Sequence, residues 1–415
     1  MNLDPIAGGG RRRRVLVGAY ACGPGDEPEA SAGWAFVCAA AETNDVWVFT
    51  RKRFEPSISA VLELNPELAT RLTVTYIDLS DRLVALKRHS YDLYWYYAMW
   101  QRELGRHAVA LHAEVRFDLM HHVTFANDWL PCGLLRVKDV PFVWGPVGGA
   151  TKLPLLRTAR WLGARGVATE LMRNMGTWLP RRIFGDAAAH RSSVLVAQND
   201  DVARRFSFAK RVVVEPNACL SDPPAVVRAP KESSAGREAL FVGRLIGLKA
   251  PRLALETLAR PESARWRLSI YGDGYERRHL ERLVNRLGLR DRVTFLGHRP
   301  RAEVLAAYGR ADALLFPSLH DQAGWAVAEA SSAGCTVVCL PLGGPPVLAR
   351  PNDFVAPLSG DIAGNLARAL DSAGDSTGVR HNRWSTDRLP GLLDDWYGSA
   401  IADASSADLV RIERA

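Results

Sequence analysis

Lysine is scarce in this 415-residue chain: Lys52, Lys87, Lys138, Lys152, Lys210, Lys231 and Lys249 stand against 46 arginines, which carry most of a formal net charge of +8. Coding bias alone can make a chain rich in arginine and alanine. The alternative is that the excess attracts phosphates or anionic lipid surfaces. No nucleic-acid-binding motif accompanies it, so no nucleic-acid partner is expected. Cysteine is also sparse. Cys22, Cys38, Cys132, Cys219, Cys335 and Cys339 form no CxxC pair and have no histidine spacing that would hold zinc, so they read as reduced, mostly buried thiols. Long apolar runs are missing too. The run 15–21 follows the basic stretch Arg11 to Arg14, is ended by Gly23-Pro24-Gly25, and is too short for a signal segment or a membrane span. A cytoplasmic protein is expected. Gly18 and Gly23-Pro24-Gly25 have the wrong spacing for a G-x-G-x-x-G loop after a first strand, which disfavours a dehydrogenase. No clustered carboxylates suit Mg²⁺, and no metal is expected.

What remains is an ordinary globular composition, 47% hydrophobic and 24% charged, in a chain too long for one core. Short β-branched runs alternate with longer Ala- and Leu-rich stretches of helical period, the pattern of parallel sheets covered by helices on both faces. Strands are expected at 15–21, 46–50, 72–77, 119–122, 142–144, 194–197 and 212–214. A second series follows at 239–242, 266–271, 293–296, 313–316 and 336–340, with helices such as 276–287 and 301–308 between them. The Pro-, Ser- and Ala-rich segment 221–236 reads as a linker. The expected organisation is therefore α/β with a first domain at 1–220, the linker, a second domain at 237–383, and a closing helix with a frayed tail at 384–415.

Two stretches depart from this alternation. One is 84–111, with Tyr91, Tyr94, Trp95, Tyr96, Tyr97 and Trp100; the other is 153–184, basic and amphipathic, with Trp161 and Trp178. Both read as helical. They either cover the first sheet or present a membrane-surface or lipid-acceptor face, which arginine beside Trp and Leu favours.

Candidate chemistry gathers at strand ends in the second half. Strand 239–242 runs into Gly243-Arg244-Leu245-Ile246-Gly247-Leu248-Lys249, placing two cations on a loop at the carboxyl end of a strand, where ligands bind in open α/β sheets. A planar Arg fork and a Lys point charge suit a diphosphate and stabilise charge growing on a leaving phosphate. Gly272-Asp273-Gly274 and Gly297-His298-Arg299-Pro300 end the next two strands in glycine turns that let backbone approach a base or phosphate closely. The last element is Phe316-Pro317-Ser318-Leu319-His320-Asp321-Gln322-Ala323-Gly324-Trp325-Ala326-Val327-Ala328-Glu329. Asp321 precedes a helix whose first amides, opened by Gly324, can meet an anion. Glu329 is an unusual charge in an apolar helical stretch.

This last string resembles the E-x7-E signature of the retaining glycosyltransferases of family four, with Asp321 in place of the first Glu, and resembles a subgroup carrying HDxxGW there. Gly243-Arg244-Leu245 with Lys249, then Gly272-Asp273-Gly274, Gly297 and Pro317-Ser318, match the same family nearly continuously over 239–345. In the first half, 19–25 with Glu27-Pro28 and Gly33-Trp34, then 117–125 and Trp144-Gly145-Pro146-Val147-Gly148-Gly149, look like the subgroup's segments, with its glycine-rich part diluted to Glu29-Ala30-Ser31-Ala32. Pro216-Asn217-Ala218 departs from a usual Asn-Gly. The resemblance implies the GT-B fold, two Rossmann-like domains facing across a cleft. It also implies a nucleotide-sugar donor used as substrate with no cofactor, and transfer with retention to a saccharide, lipid-linked or small-molecule acceptor.

By the same resemblance, His121 or His122 faces the donor sugar, with His121 favoured. Glu329 grips the ribose, and Arg244 and Lys249 hold the diphosphate. Gly272, Gly274 and Gly297 line the donor site, while Asp321 with the Gly324, Trp325 and Ala326 backbone positions the sugar. Departure of the nucleotide leaves an oxocarbenium-like centre. The rivals are another enzyme of this fold, such as a sugar phosphorylase or epimerase, and a catalytically silent partner protein. Retention of Arg244 and Lys249 speaks against the silent reading.

Overall fold

The computed structural model describes residues 11–89, 91–220 and 236–412, with side chains to 404. Thirteen parallel strands form two sheets among these residues. The first contains β1 (Arg14–Ala19), β2 (Asp45–Thr50), β3 (Leu72–Tyr76), β4 (Leu119–Thr124), β5 (Phe142–Val147), β6 (Val194–Ala197) and β7 (Val212–Val214), in the order 3-2-1-4-5-6-7. The second contains β8 (Arg237–Val242), β9 (Trp266–Tyr271), β10 (Val293–Gly297), β11 (Ala313–Phe316), β12 (Thr336–Cys339) and β13 (Asp353–Val355), in the order 10-9-8-11-12-13. The three-residue strand β13 adds an edge that the sequence reading lacked. Strands β4, β5, β6, β11 and β12 are buried along their whole length, as parallel strands covered on both faces must be.

In both sheets the winding reverses beside the first strand, between β1 and β4 and between β8 and β11. Loops leaving the carboxyl ends of those strands splay apart there and open a crevice. Helix Pro28–Thr43 follows β1, opening with proline at its first position, where no N–H is missed. Helix Trp325–Ser332 follows β11.

Three departures concern the helices. The long helix Leu155–Pro180 kinks at Gly163 (φ +67°). Before the kink, Leu153, Trp161 and Leu162 belong to the apolar core of the second sheet, and Trp161 Nε1 donates to Glu256 at 3.1 Å. That end therefore covers the second sheet and not the first. At the other end of the chain, residues expected as a frayed tail continue the helix Leu389–Ile412. Its buried face, Leu393, Trp396, Tyr397 and Ala400, packs into the core of the first sheet. Most of the expected linker, 221–235, lies outside the described residues. Where the chain leaves the first domain and where it returns, the two segments lie side by side: Leu220 N donates to Trp384 O at 2.8 Å and Thr386 N to Leu220 O at 3.2 Å.

Candidate active site

Two adjoining cavities fill the crevice. The larger, about 1190 Å³, is walled by Tyr271, Gly272, Asp273, His298, Arg301 and Glu329 of the second domain and by Trp34, Cys38 and Glu42 of helix Pro28–Thr43. The smaller, about 590 Å³, is walled by Lys249, Asp321, Gln322, Gly324 and Ala326 on one side and by Glu29, Phe125, Asn127, Gln198 and Asn217 on the other. Gly243, Arg244 and Trp325 line both, at the neck between them.

Backbone geometry sets this wall. Gly272 has φ +128°, and a Cβ there would sit 2.1 Å from the Gly243 carbonyl oxygen, so only glycine lets the loops after β8 and β9 touch. Gly324 caps the helix Trp325–Ser332 in the left-handed region at φ +78°, turning the chain so that the helix's first amides meet the smaller cavity. Lys249 Nζ is bonded to the Asp321 carboxylate and lies 5.7 Å from the Phe316 ring centroid. Arg244 is exposed and makes no ion pair among the described residues. Glu329 Oε1 accepts from Arg301 Nε at 2.9 Å and Nη2 at 2.8 Å. Burial holds the Glu329 carboxyl above the ordinary range against the lowering influence of Arg301. An Arg fork, a Lys point charge and helix amides around one neck can meet the charge of a diphosphate.

Of the expected site residues, Arg244, Lys249, Gly272, Asp321, Gly324, Trp325, Ala326 and Glu329 thus come together. Gly274 and Gly297 line neither cavity. They stand behind the wall: a Cβ on Gly274 would meet the Leu245 carbonyl oxygen at 2.4 Å, and the Gly297 carbonyl accepts from Gly272 N at 2.8 Å.

The structure does not bring the two expected histidines to either cavity. His121 and His122 are 1% exposed and line neither cavity. His121 Nε2 lies 2.8 Å from the Gly145 carbonyl and Nδ1 2.9 Å from Tyr397 Oη. A carbonyl only accepts, so Nε2 carries the proton and the neutral ring takes the Tyr397 hydroxyl at Nδ1. Burial lowers its pKa to about 4. His122 faces the other side of the sheet, with Nε2 3.1 Å from Tyr97 Oη, and burial with the charge of His121 lowers it to about 3. Both are struts of the first core. Phe125, just past the end of β4, is what reaches the smaller cavity.

Three site residues gave no signal in sequence: Arg301, Glu29 and Gln322. Gln322, a variable position of the HDxxGW string, fastens the loop to the first domain. Its Oε1 accepts from Gly149 N at 2.8 Å and its carbonyl from Asn199 Nδ2 at 3.1 Å.

Residues 227–382 match the family Glycosyl transferases group 1. The 2-deoxystreptamine glucosyltransferase of Streptomyces kanamyceticus is 29% identical over 210 residues, 47% of this chain and 53% of that protein. The D-inositol 3-phosphate glycosyltransferase of Mycobacterium bovis (strain BCG / Pasteur 1173P2) is 28% identical over 295 residues, 64% of this chain and 55% of that protein. The chain thus spans about half the length of these relatives. Among solved structures, the lipopolysaccharide outer core galactosyltransferase WaaB in its apo form has a TM-score of 0.58 at 13% identity, covering 95% of this chain and 99% of that one. Sucrose-phosphate synthase from Thermosynechococcus elongatus has 0.55 at 18%, covering 97% and 100%. The fold is GT-B. Among the described residues no group of three or more His, Cys, Asp or Glu is arranged to hold a metal ion, and no helix is long and apolar enough to cross a membrane.

Proposed function

We propose that the chain is a retaining glycosyltransferase that takes a sugar from a nucleotide-sugar donor, without a metal, and passes it to a hydroxyl of a saccharide, lipid-linked or small-molecule acceptor. Such a reaction serves the building of a polysaccharide, a glycolipid or a natural-product glycoside. The observation that carries this reading is the pair of adjoining cavities joined at Arg244, the larger holding Glu329 and the smaller Lys249 with Asp321. The nucleoside occupies the larger cavity with its ribose on Glu329. The diphosphate spans the neck on Arg244 and Lys249, and the sugar fills the smaller cavity against Asp321. Glu329→Ala is expected to weaken binding of the donor's nucleoside diphosphate more than tenfold, about 1.4 kcal/mol. Calorimetric titration in the presence of chelator checks this, and unchanged affinity removes the ribose role.

The same protein works at the cytoplasmic face of a membrane. Past the kink, helix Leu155–Pro180 turns Leu171 (48% exposed), Met172, Met175 (80%), Trp178 (66%) and Leu179 outward, and Ile183 and Phe184 extend the stripe. Their helical spacing makes one continuous apolar face, with Arg165 and Arg182 exposed beside it. An apolar stripe flanked by cations fits an anionic bilayer surface. Each large side chain it buries is worth roughly 1.5 to 3 kcal/mol. The Met175→Glu/Trp178→Glu double variant is therefore expected to lose more than tenfold in partitioning onto phosphatidylglycerol vesicles while binding nucleotide like the unaltered protein. Equal co-sedimentation of both proteins refutes this contact.

A further inference from the structure

With both histidines withdrawn into the core, the first domain still presents one acid to the sugar cavity. Glu29 stands in the first turn of helix Pro28–Thr43 and lines the smaller cavity opposite Lys249 and Asp321. Its Oε2 accepts from Asn217 Nδ2 at 3.1 Å, no hydrogen bond holds Oε1 among the described residues, and the residue is half-buried. Asn217 is itself 4% exposed and lines the same cavity, so a fixed amide holds the carboxyl at the cavity wall. This acid lies in the segment where the resembling subgroup is rich in glycine.

We propose that Glu29 is the first-domain catalytic residue of the transfer, receiving the attacking hydroxyl of the acceptor in the smaller cavity. The inference rests on the proposed donor site. As the acceptor oxygen bonds to the anomeric carbon on the face from which the diphosphate departs, its proton passes to the Glu29 carboxylate. The bond from that carbon to the diphosphate breaks, and its electron pair leaves with the nucleoside diphosphate, whose charge Arg244 and Lys249 meet. Glu29 then returns the proton to solvent.

Burial raises the Glu29 carboxyl to about 7, its hydrogen bond from Asn217 offsetting part of the rise. A base poised there is half ionised near neutrality. The charged and titratable groups around it are Cys219 after β7, whose thiol burial pushes to about 12, and the buried Tyr97 of helix Asp92–Val115, raised by burial. Across the cavity are Arg244, Lys249 and Asp321.

The test begins with binding of UDP-, GDP-, dTDP- and ADP-glucose to the full chain. Nucleoside diphosphate release from the bound donor, with water as acceptor, is then followed from about pH 6 to about pH 9 for the unaltered protein, Glu29→Gln and Asn217→Ala. Release by the unaltered protein is expected to fall as pH drops below about 7. Glu29→Gln should be about a hundredfold slower at about pH 8, without that limb and with unchanged nucleotide affinity. Asn217→Ala leaves the carboxyl in place and removes the bond that lowers it, so the limb should move to higher pH. A Glu29→Gln protein that keeps the rate, or is slowed but keeps the limb, overturns the role, as does an unmoved limb in Asn217→Ala. Absence of binding to every donor by the folded, unaltered protein instead overturns the donor site, and this role with it.

Discussion

Replacing Lys249 with alanine should slow nucleoside diphosphate release by a hundred- to a thousandfold, about 3 to 4 kcal/mol of transition-state stabilisation. Nucleotide affinity should fall much less. Lys249 is mostly buried, with 19% of its side chain exposed, at the end of the loop after β8 and bonded to Asp321 beside the amides opened by Gly324. A cation so fixed meets charge as it develops on the leaving phosphate without first having to organise itself. Arginine at this position keeps the charge but not the point geometry, so Lys249→Arg should recover only part of the loss. Single-turnover release from a saturating donor is the measurement. A rate within threefold of the unaltered protein would exclude Lys249 from the reacting centre.

The second large effect is acid lability. Burial holds His121 at about 4 and, with neighbouring positive charge, His122 and His320 at about 3, against an ordinary value of 6.5. For His320 the neighbouring charges are Arg173, Lys249 and Arg181. Below pH 6.5 the unfolded chain takes up protons that the folded chain refuses, so stability is lost as pH falls from 6.5 towards 4. By about pH 5 each histidine costs the folded state about 2 kcal/mol, and three together approach a typical domain's whole stability. Glu29 opposes them, since its raised carboxyl favours the folded state most below pH 4.5 and loses that contribution up to about 7. One group does not offset three. Urea midpoints compared at about pH 7.5 and about pH 5 should differ clearly. Coincident midpoints would mean that the rings reach water or find anionic partners.

The contrast between Lys249 and the histidines shows what sequence carried. The strands were legible because parallel strands buried on both faces read as continuous apolar runs, and the second-domain loops because their cations and glycines together match one family's strings over 239–345. The same continuous burial hid the faces of β4. All six of its residues are buried, so no alternation distinguishes His121, which meets the closing helix, from His122, which meets the helix over the other face. β13 was missed because Asp353-Phe354-Val355 opens on an acid and carries little pattern, whereas the equally short edge strand β7 is a run of three valines. Glu29 and Gln322 act through contacts with Asn217, Gly149 and Asn199, which lie far away along the chain, and local spacing records none of these. The outward face of helix Leu155–Pro180 was visible as amphipathicity, but only the kink at Gly163 decides that its apolar side turns to solvent after the first turns have packed under the second sheet.

The side-by-side crossing at Leu220 and Trp384 to Thr386 has a mechanical meaning. Two covalent straps joined edge to edge along one line resist sliding and separation there. Segment 153–162, packed in the second core, and Gln322, bonded to Gly149 and Asn199, tie the domains at points away from that line. Any opening of the cleft has to release these ties as well as turn about Leu220.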